Sequence, residues 1–139
     1  MTIDDAESGC YQLLLKLERS RRIEVGALGW LLFMKGYYIY TGRARRAMGR
    51  RLFRHLKPDK KCHWHIDYLR RRARIIKIVC YPDRFDECII NERVFRATEA
   101  GRIVDGFGAS DCRCRGHLIY TERKPEFDEK VVPGRCLSF

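Results

Sequence analysis

The chain has 139 residues and 29 Lys and Arg against 18 Asp and Glu, which gives a formal net charge of +11. This length suits one compact domain, and an apolar content of 45% excludes a globally disordered chain. The longest apolar stretch runs from Gly26 to Met34, well short of the roughly 18 apolar residues that a transmembrane helix needs. The acidic N-terminus lacks the apolar segment of a secretory signal, so we expect a cytoplasmic protein.

The predicted secondary structure alternates between short strands and helices. The order β-β-β-α-α-β-α-β indicates an α+β fold with a small antiparallel or mixed β-sheet flanked by helices. We expect residues 1–124 to form a single domain and the charged residues 125–139 to form a C-terminal tail. The predicted strands are Cys10–Glu18, Ile23–Met34 (a bent strand or a hairpin partner), Tyr37–Thr41, Arg74–Tyr81 and His117–Thr121. The predicted helices are Ala44–Leu56, His65–Arg72 and Asp86–Thr98. Residues 100–116 are predicted to be a glycine-rich loop.

The positive charge is concentrated in one quarter of the chain. Residues 42–76 contain 13 Lys and Arg and two acidic residues, whereas basic and acidic residues balance elsewhere. A local basic surface predicts phosphate binding and makes nucleic acid the expected partner, although a solvated helix face is the alternative. No broad apolar face flanks the arginines, so we do not expect a membrane partner. The predicted phosphate-binding residues are Arg43, Arg46, Arg50, Arg54 and Lys57, which recur every three or four residues on the first predicted helix, followed by Lys60 and Lys61.

Several short motifs follow one another in a distinctive order. Gly9-Cys10-Tyr11 opens the first strand, Tyr40-Thr41-Gly42 closes the third, and Arg51 and His55 follow on the helix. This order resembles the GIY-YIG nuclease superfamily. It is more similar still to a little-characterised, mainly archaeal branch that is sometimes fused to endonuclease III-type glycosylases. The motifs of that branch are matched by residues 38–42, 54–56, 63–69 and 108–114.

The resemblance implies a metal-dependent endonuclease acting on nucleic acid, DNA rather than RNA, with a role in repair and a repair protein as a further partner. Tyr11 and Tyr40 match the two motif tyrosines, and the first has been regarded as the general base for the attacking water. Arg51 would neutralise charge on the pentavalent phosphate, and His55 would orient water or protonate the leaving oxygen. The alternatives are buried strand aromatics for the two tyrosines and a solvated charge for Arg51.

The superfamily also uses a glutamate on a later helix to hold Mg²⁺ or Mn²⁺. Glu87 matches it best, ahead of Glu92 and Glu99, although Glu87 could instead stabilise a helix N-terminus. Two features depart from the family pattern. Tyr11 and Tyr40 are unusually far apart in sequence, which predicts an extended hairpin between them. The superfamily often ends with an asparagine that supports the site, whereas the only asparagine of this chain, Asn91, lies within a predicted helix.

The seven cysteines are expected to be reduced thiols, metal ligands or a mixture of both. Cys112, Cys114 and His117 could form a tetrahedral zinc site with His63, and the alternative is ordinary thiols beside phosphate-binding histidines. His65 and Asp67 could support the nuclease pocket by contacting the residues that line it. We expect Cys10, Cys80 and Cys88 to be core residues.

Three functions therefore remain open. The first is a nuclease, the second is a nucleic-acid-binding module without catalysis, and the third is a zinc-stabilised adaptor for a repair partner. The binding module needs only the positive charge, whereas the nuclease also needs Tyr11, Arg51 and Glu87.

Overall fold

The structure is a computed structural model that describes residues 7–109, 112–126 and 135–138. Within these ranges the chain forms eight strands, three α-helices and one 3₁₀ turn at Gly26–Leu28. The strands are β1 (Gly9–Leu17), β2 (Arg21–Glu24), β3 (Trp30–Phe33), β4 (Gly36–Ala44), β5 (Arg74–Pro82), β6 (Arg102–Ile103), β7 (Leu118–Thr121) and β8 (Arg135–Ser138). The helices are α1 (Met48–Leu56), α2 (His65–Arg70) and α3 (Glu87–Ala97).

Six of the strands form one sheet in the order β6-β7-β4-β1-β5-β8, and every neighbouring pair in it is antiparallel. The predicted α+β class is therefore confirmed. β1 lies near the centre, hydrogen-bonded to β4 on one side and to β5 on the other. No helix in the described part of the chain is both long and apolar enough to cross a membrane.

Helices cover both faces of the sheet. Alternate residues of β1 point to opposite sides, so they enter two different cores. Leu13 and Leu15 belong to a large core that also includes Leu52 of α1 and Ile66 of α2. On the other face, Leu14 belongs to a smaller core packed against α3. The near-continuous apolar sequence of β1 follows from this burial on both faces.

The segment Ile23–Met34, predicted as a bent strand or a hairpin partner, is divided between two short strands of one hairpin. β2 pairs with β3 as a separate two-stranded sheet, and the 3₁₀ turn lies between them. Ile23 and Phe33 pack into the same core as α1 and α2. This hairpin accounts for the long separation between Tyr11 and Tyr40.

The first helix begins later than its periodicity predicts. β4 continues to Ala44, which pairs with Gly9, and the left-handed Ala47 (φ 54°) separates the strand from α1. Arg43 therefore lies on a strand and Arg46 in the connection. The prediction of five basic residues along one helix is wrong, because a strand continues where the helix was expected to begin.

The sheet also extends beyond the predicted end of the domain at residue 124. β8 pairs with residues 77–80 of β5, so part of the segment predicted as a tail forms an edge strand. Another short strand, β6, lies within the predicted loop at residues 100–116 and pairs with β7. Ser110 and Asp111 of the loop, and residues 127–134 and 139, lie outside the described residues.

The two motif glycines are explained by close approaches in the sheet. Tyr11 and Gly42 are direct partners across β1 and β4. A Cβ atom at residue 42 would lie 2.5 Å from both Cζ and the hydroxyl oxygen of Tyr11. Gly9 has φ 140°, and a Cβ there would overlap the carbonyl oxygen of Tyr81. Both glycines therefore allow the chain to pack where any side chain would collide.

We predict that Gly42→Ala lowers the free energy of unfolding by about 1–3 kcal/mol, because the added methyl group overpacks against the Tyr11 ring. Urea denaturation would measure the loss. In a Tyr11→Leu background, the shorter side chain removes the ring atoms that collide, so the same change should cost less. An equal loss in both backgrounds would contradict this explanation.

Candidate functional site

A cleft of about 500 Å³ lies where the ends of β1 and β4 meet α1, α2 and the start of α3. It brings together four of the residues to which the family resemblance assigns chemistry: Tyr11, Tyr40, Arg51 and Glu87. Residues far apart in sequence are thus neighbours in the fold. The other lining residues are Gly42, Arg43, Arg45, Arg46, His63, Trp64, His65, Gly108, Cys112 and His117.

His55 does not line the cleft but lies behind Tyr11. Its Nε2 is 2.7 Å from the Tyr11 hydroxyl oxygen, and both side chains are buried. Burial lowers the pKa of His55 to about 3, so its imidazole is neutral at pH 7. The other ring nitrogen, Nδ1, has no hydrogen-bond partner among the described residues. His55 is therefore placed to orient the Tyr11 hydroxyl rather than to touch a substrate.

Both tyrosines carry their protons at neutral pH. Burial raises the pKa of Tyr11, and the positive charge of Arg51 opposes that shift. Burial also raises the pKa of Tyr40, and the neighbouring Tyr11 and Glu87 raise it further. The two phenol groups thus enter the cleft as neutral hydrogen-bonding groups.

Arg51 is held in place by two contacts. Its guanidinium carbon lies 4.5 Å from the centre of the Trp64 ring, and its Nη1 donates a hydrogen bond of 3.0 Å to the carbonyl oxygen of Arg43. Stacking on an aromatic face while donating a hydrogen bond limits the motion of the planar side chain. A cation fixed in this way can stabilise negative charge in the cleft without first reorganising.

Arg54 and Lys60 point into the protein. The two Nη atoms of Arg54 each lie 2.9 Å from a carboxylate oxygen of the buried Asp67, and the Arg54 guanidinium also stacks on Trp64 at 4.3 Å. The Lys60 ammonium donates to the carbonyl oxygen of Lys57 at 2.6 Å and lies 3.8 Å from Asp67. These two cations, predicted to contact phosphate, instead connect α1 and the segment after it to Asp67 of α2.

Asp67 is fully buried and accepts further hydrogen bonds of 2.8 Å from the backbone N–H groups of His63 and Trp64. Burial tends to raise the pKa of this carboxyl, but the bonds from Arg54 and from the backbone outweigh it and hold the pKa below its ordinary value. Asp67 thereby fixes Trp64, which in turn holds Arg51. Asp67 therefore lies behind the cleft and contacts Arg54 and the backbone of His63 and Trp64.

The exposed basic residues between β4 and α2 fall into two groups, one at the cleft and one outside it. Arg45 and Arg46, in the connection between β4 and α1, are exposed at the cleft. Arg50, Lys57 and Lys61 are exposed outside the cleft lining. Arg45 falls outside the helical spacing and was missed by it. Its position directly after the Tyr-x-Gly motif is the sequence signal that could have identified it.

Of the three glutamates considered as metal ligands, only Glu87 reaches the cleft. It is the first residue of α3, with Oε1 3.9 Å from Nε of Arg43 and Oε2 3.5 Å from Nδ1 of His117. Glu92 and Glu99 are exposed, and Glu92 pairs with Arg96 on the outer surface of α3. Glu87 therefore combines a cleft position with a contact to the Cys/His residues beside it.

Three cysteines and one histidine form a compact cluster next to the cleft. The ligand atoms of Cys88, Cys112, Cys114 and His117 all lie within 4.8 Å of one another. Such a cluster could hold a metal ion such as zinc. The prediction grouped Cys112, Cys114 and His117 correctly, but His63 is not part of the cluster.

Cys88 takes the fourth position, so its prediction as a core residue is wrong. It is only half-buried and lies on α3, beside Glu87. No local spacing relates Cys88 to the distant pair Cys112 and Cys114. Only the packing of α3 beside the loop that precedes β7 brings them together.

Two polar side chains fix the loop that carries His117. Nδ1 of His65 accepts a 2.9 Å hydrogen bond from the backbone N–H of Gly108. The side-chain amide of the buried Asn91 donates to the carbonyl oxygen of Gly116 at 2.9 Å. His65 thus joins α2 to the cleft wall at Gly108. Asn91, to which the sequence assigned no role, holds the residue that precedes His117.

The fold and the site define an α+β domain with a basic cleft beside a Cys/His cluster. The chain belongs to the family described as domain of unknown function DUF123, whose family model matches residues 10–133. No curated protein matches the chain, and no solved structure does.

We predict that burial of neutral His55 makes stability depend on pH. The folded-state pKa is about 3 and the ordinary value is 6.5, so between these values the unfolded chain binds a proton that the folded chain does not. The stability gained by keeping His55 neutral is fully present above pH 6.5. As the pH falls below 6.5, the free energy of unfolding decreases by about 1.4 kcal/mol per pH unit. His55→Gln lacks this contribution.

Urea denaturation of wild type and His55→Gln between pH 7 and pH 4.5 would measure the difference, which should narrow as the pH falls. His63→Gln, at an exposed histidine, serves as the control and should follow the pH dependence of the wild type. Parallel curves for wild type and His55→Gln would show that His55 does not stay neutral in the folded protein.

Proposed function

We propose that the protein is a cytoplasmic, metal-dependent endonuclease of the GIY-YIG type that hydrolyses phosphodiester bonds in nucleic acid, with DNA as the preferred substrate and repair as its setting. The observation that carries the proposal is the convergence of Tyr11, Tyr40, Arg51 and Glu87 on one basic cleft. Each of these residues occupies a position that matches the motif pattern of the GIY-YIG superfamily. Their gathering in one place is what a shared catalytic role requires.

The arginines at the rim of the cleft would bind the phosphate backbone. Arg43, Arg45 and Arg46 all line it and come within four residues after Gly42 of the Tyr-x-Gly motif. Contacts of this kind position a nucleic acid without reading its bases. We therefore expect recognition of nucleic-acid structure rather than of sequence.

Glu87 suits a hard divalent cation. It is the only carboxylate among the described residues that line the cleft. One carboxylate together with water and substrate oxygens is a common environment for Mg²⁺. Glu87 would hold Mg²⁺ or Mn²⁺ through its carboxylate, whose Oε2 faces His117 and whose Oε1 lies 3.9 Å from Nε of Arg43. When bound, the ion would act as a Lewis acid on the phosphate and promote ionisation of nearby groups.

Arg51, His55 and Tyr11 would supply the other functions that the reaction needs. Arg51 would stabilise the charge that develops on the phosphate oxygens, at the place where Trp64 and the Arg43 carbonyl hold it. His55 would fix the direction of the Tyr11 hydroxyl from inside the protein. Tyr11 would accept a proton from the attacking water only in its ionised form, which Arg51 already favours electrostatically.

One observation favours a second candidate, a nucleic-acid-binding module without catalysis. Burial raises the pKa of both tyrosines, so neither is ready to act as a base at neutral pH. The basic rim would still bind phosphates. An adaptor for a repair protein would use the same surface, with the Cys/His cluster stabilising the domain.

We predict that the wild type cleaves nucleic acid with Mg²⁺ or Mn²⁺ and that Arg51→Ala and Glu87→Gln each slow cleavage by about 100-fold or more, because each loses charge stabilisation in the transition state. Single-stranded, duplex and branched DNA, and RNA, would be tested in parallel. Binding measured by fluorescence anisotropy should be largely retained. Arg96→Ala is the matched control, since Arg96 is exposed on α3 and outside the cleft.

The zinc content of each variant would be measured in the same preparations, so that loss of an active-site group is distinguished from loss of the Cys/His cluster. Binding without cleavage of any substrate by the wild type would overturn the nuclease proposal in favour of the binding module.

We further predict that the double change Arg45→Ala/Arg46→Ala weakens binding and reduces the slope of log K against log salt concentration by about 2, because two phosphate contacts are lost. The matched control is Arg93→Ala/Arg96→Ala, which removes two exposed arginines from α3. Binding titrations at several salt concentrations would measure both slopes. Equal slopes for the two double variants would place the phosphate-binding surface elsewhere.

A further inference from the structure

Cys88, Cys112, Cys114 and His117 place their ligand atoms within 4.8 Å of one another. His117 Nε2 lies 3.5 Å from Sγ of Cys88 and 3.4 Å from Sγ of Cys112. Zinc bonds of about 2.3 Å to sulfur and 2.0–2.1 Å to nitrogen, at tetrahedral angles, put these atoms about 3.6 Å apart. The side chains therefore already stand close to the separations that the ion would impose.

We propose that these four residues bind one Zn²⁺ ion, which ties the loop before β7 to α3 and, through His117, orients Glu87 at the cleft. The zinc site stands independently of the proposed nuclease activity. Only the consequence of the Glu87 orientation for catalysis rests on that proposal.

The donor set selects zinc and a structural role. Three thiolates and one imidazole are soft to borderline ligands, which suit Zn²⁺ rather than Mg²⁺ or Ca²⁺. Four protein donors complete a tetrahedron, so no coordination position is left for water or substrate. His117 is 1% exposed, and the three cysteines are half-buried. A closed and largely buried site of this kind is typical of ions that stabilise a fold.

The contact between His117 and Glu87 gives the site a connection to the cleft. Nε2 of His117 faces the sulfur atoms, while its Nδ1 lies 3.5 Å from Oε2 of Glu87. A metal-bound histidine commonly directs its other ring nitrogen at a carboxylate, which fixes both groups. Zinc on Nε2 would therefore hold Nδ1–H towards Oε2 and leave Oε1 of Glu87 on the side of the cleft and Arg43.

The loop that the ion would hold also forms one wall of the cleft. It runs from the end of β6 to the start of β7 and includes Gly108, whose backbone approaches the Tyr40 ring. In its described part, backbone hydrogen bonds join Gly106 to Arg115 and Phe107 to His117. A zinc ion would join this loop to Cys88 of α3, a residue far from the loop in sequence.

The first test is the metal content of the full chain, produced without a histidine tag and purified without chelators. We expect about one zinc ion per chain, with X-ray absorption showing three sulfur ligands at about 2.3 Å and one nitrogen ligand at about 2.0 Å. Cys88→Ser and Cys112→Ser should lose the ion. Cys62→Ser is the matched control, because Cys62 lies outside the cluster, and it should retain the ion.

A chain that contains no zinc after expression with added zinc would overturn the proposal, as would equal loss of zinc in Cys62→Ser. If the serine variants fail to fold, the wild type alone still provides a test. Removal of zinc by a chelator should lower Tm, and zinc but not Mg²⁺ should restore it. An unchanged Tm after confirmed removal would disprove the structural role.

The connection to Glu87 is tested separately. Glu87→Gln should weaken zinc binding by about 10-fold or more, measured by competition with a chelating dye, because the hydrogen-bond partner of the ligating histidine loses its charge. Glu92→Gln, on the exposed surface of α3, should leave the affinity unchanged. Equal affinities for wild type and Glu87→Gln would refute the connection. Since none of these measurements uses nucleic acid, their outcome is independent of whether the protein cleaves DNA.

Discussion

The ring of Tyr11 lies across Gly42 on the neighbouring strand, in a space that exists only because residue 42 has no side chain. This close packing requires the register in which Tyr11 of β1 pairs with Gly42 of β4. That register sets which residues of the two central strands face α1, and it puts the Tyr11 hydroxyl within reach of His55. A shift by one residue would turn every side chain of β1 to the opposite face of the sheet. The position of Tyr11 at the cleft therefore depends on the same packing that aligns the centre of the sheet.

Asp67 imposes a second constraint, which is electrostatic. A fully buried carboxylate is costly unless its oxygens are paired, and here Arg54, Lys60 and two backbone N–H groups surround it. The arrangement uses basic residues from the positively charged segment to build the cleft rather than to bind a ligand. It fixes Trp64, and Trp64 holds Arg51. Part of the positive charge is thus a structural component of the site.

The cleft is bounded by two supports of different chemistry. On one side, the Tyr11–His55 pair and the Asp67 cluster hold aromatic and cationic groups in place. On the other side, α3 and the loop before β7 contribute the Cys/His cluster. Glu87 lies between the two sides. One of its carboxylate oxygens faces Arg43, whose carbonyl oxygen accepts a hydrogen bond from Arg51, and the other faces His117. Its position at the start of α3 places the acidic group of the site directly beside the cluster.

The sequence by itself determined the α+β class, the approximate positions of the three helices and the basic segment at residues 42–76, because hydrophobic period and charge are local properties of a chain. The resemblance to the nuclease superfamily also indicated Tyr11, Tyr40, Arg51 and Glu87, which lie together in one cleft. Only the tertiary structure decided that Cys88 joins Cys112 and that Arg54 turns inward to Asp67. It also decided that β4 displaces the start of the first helix. These features depend on pairing and packing between segments distant in the chain, and no local spacing encodes such contacts.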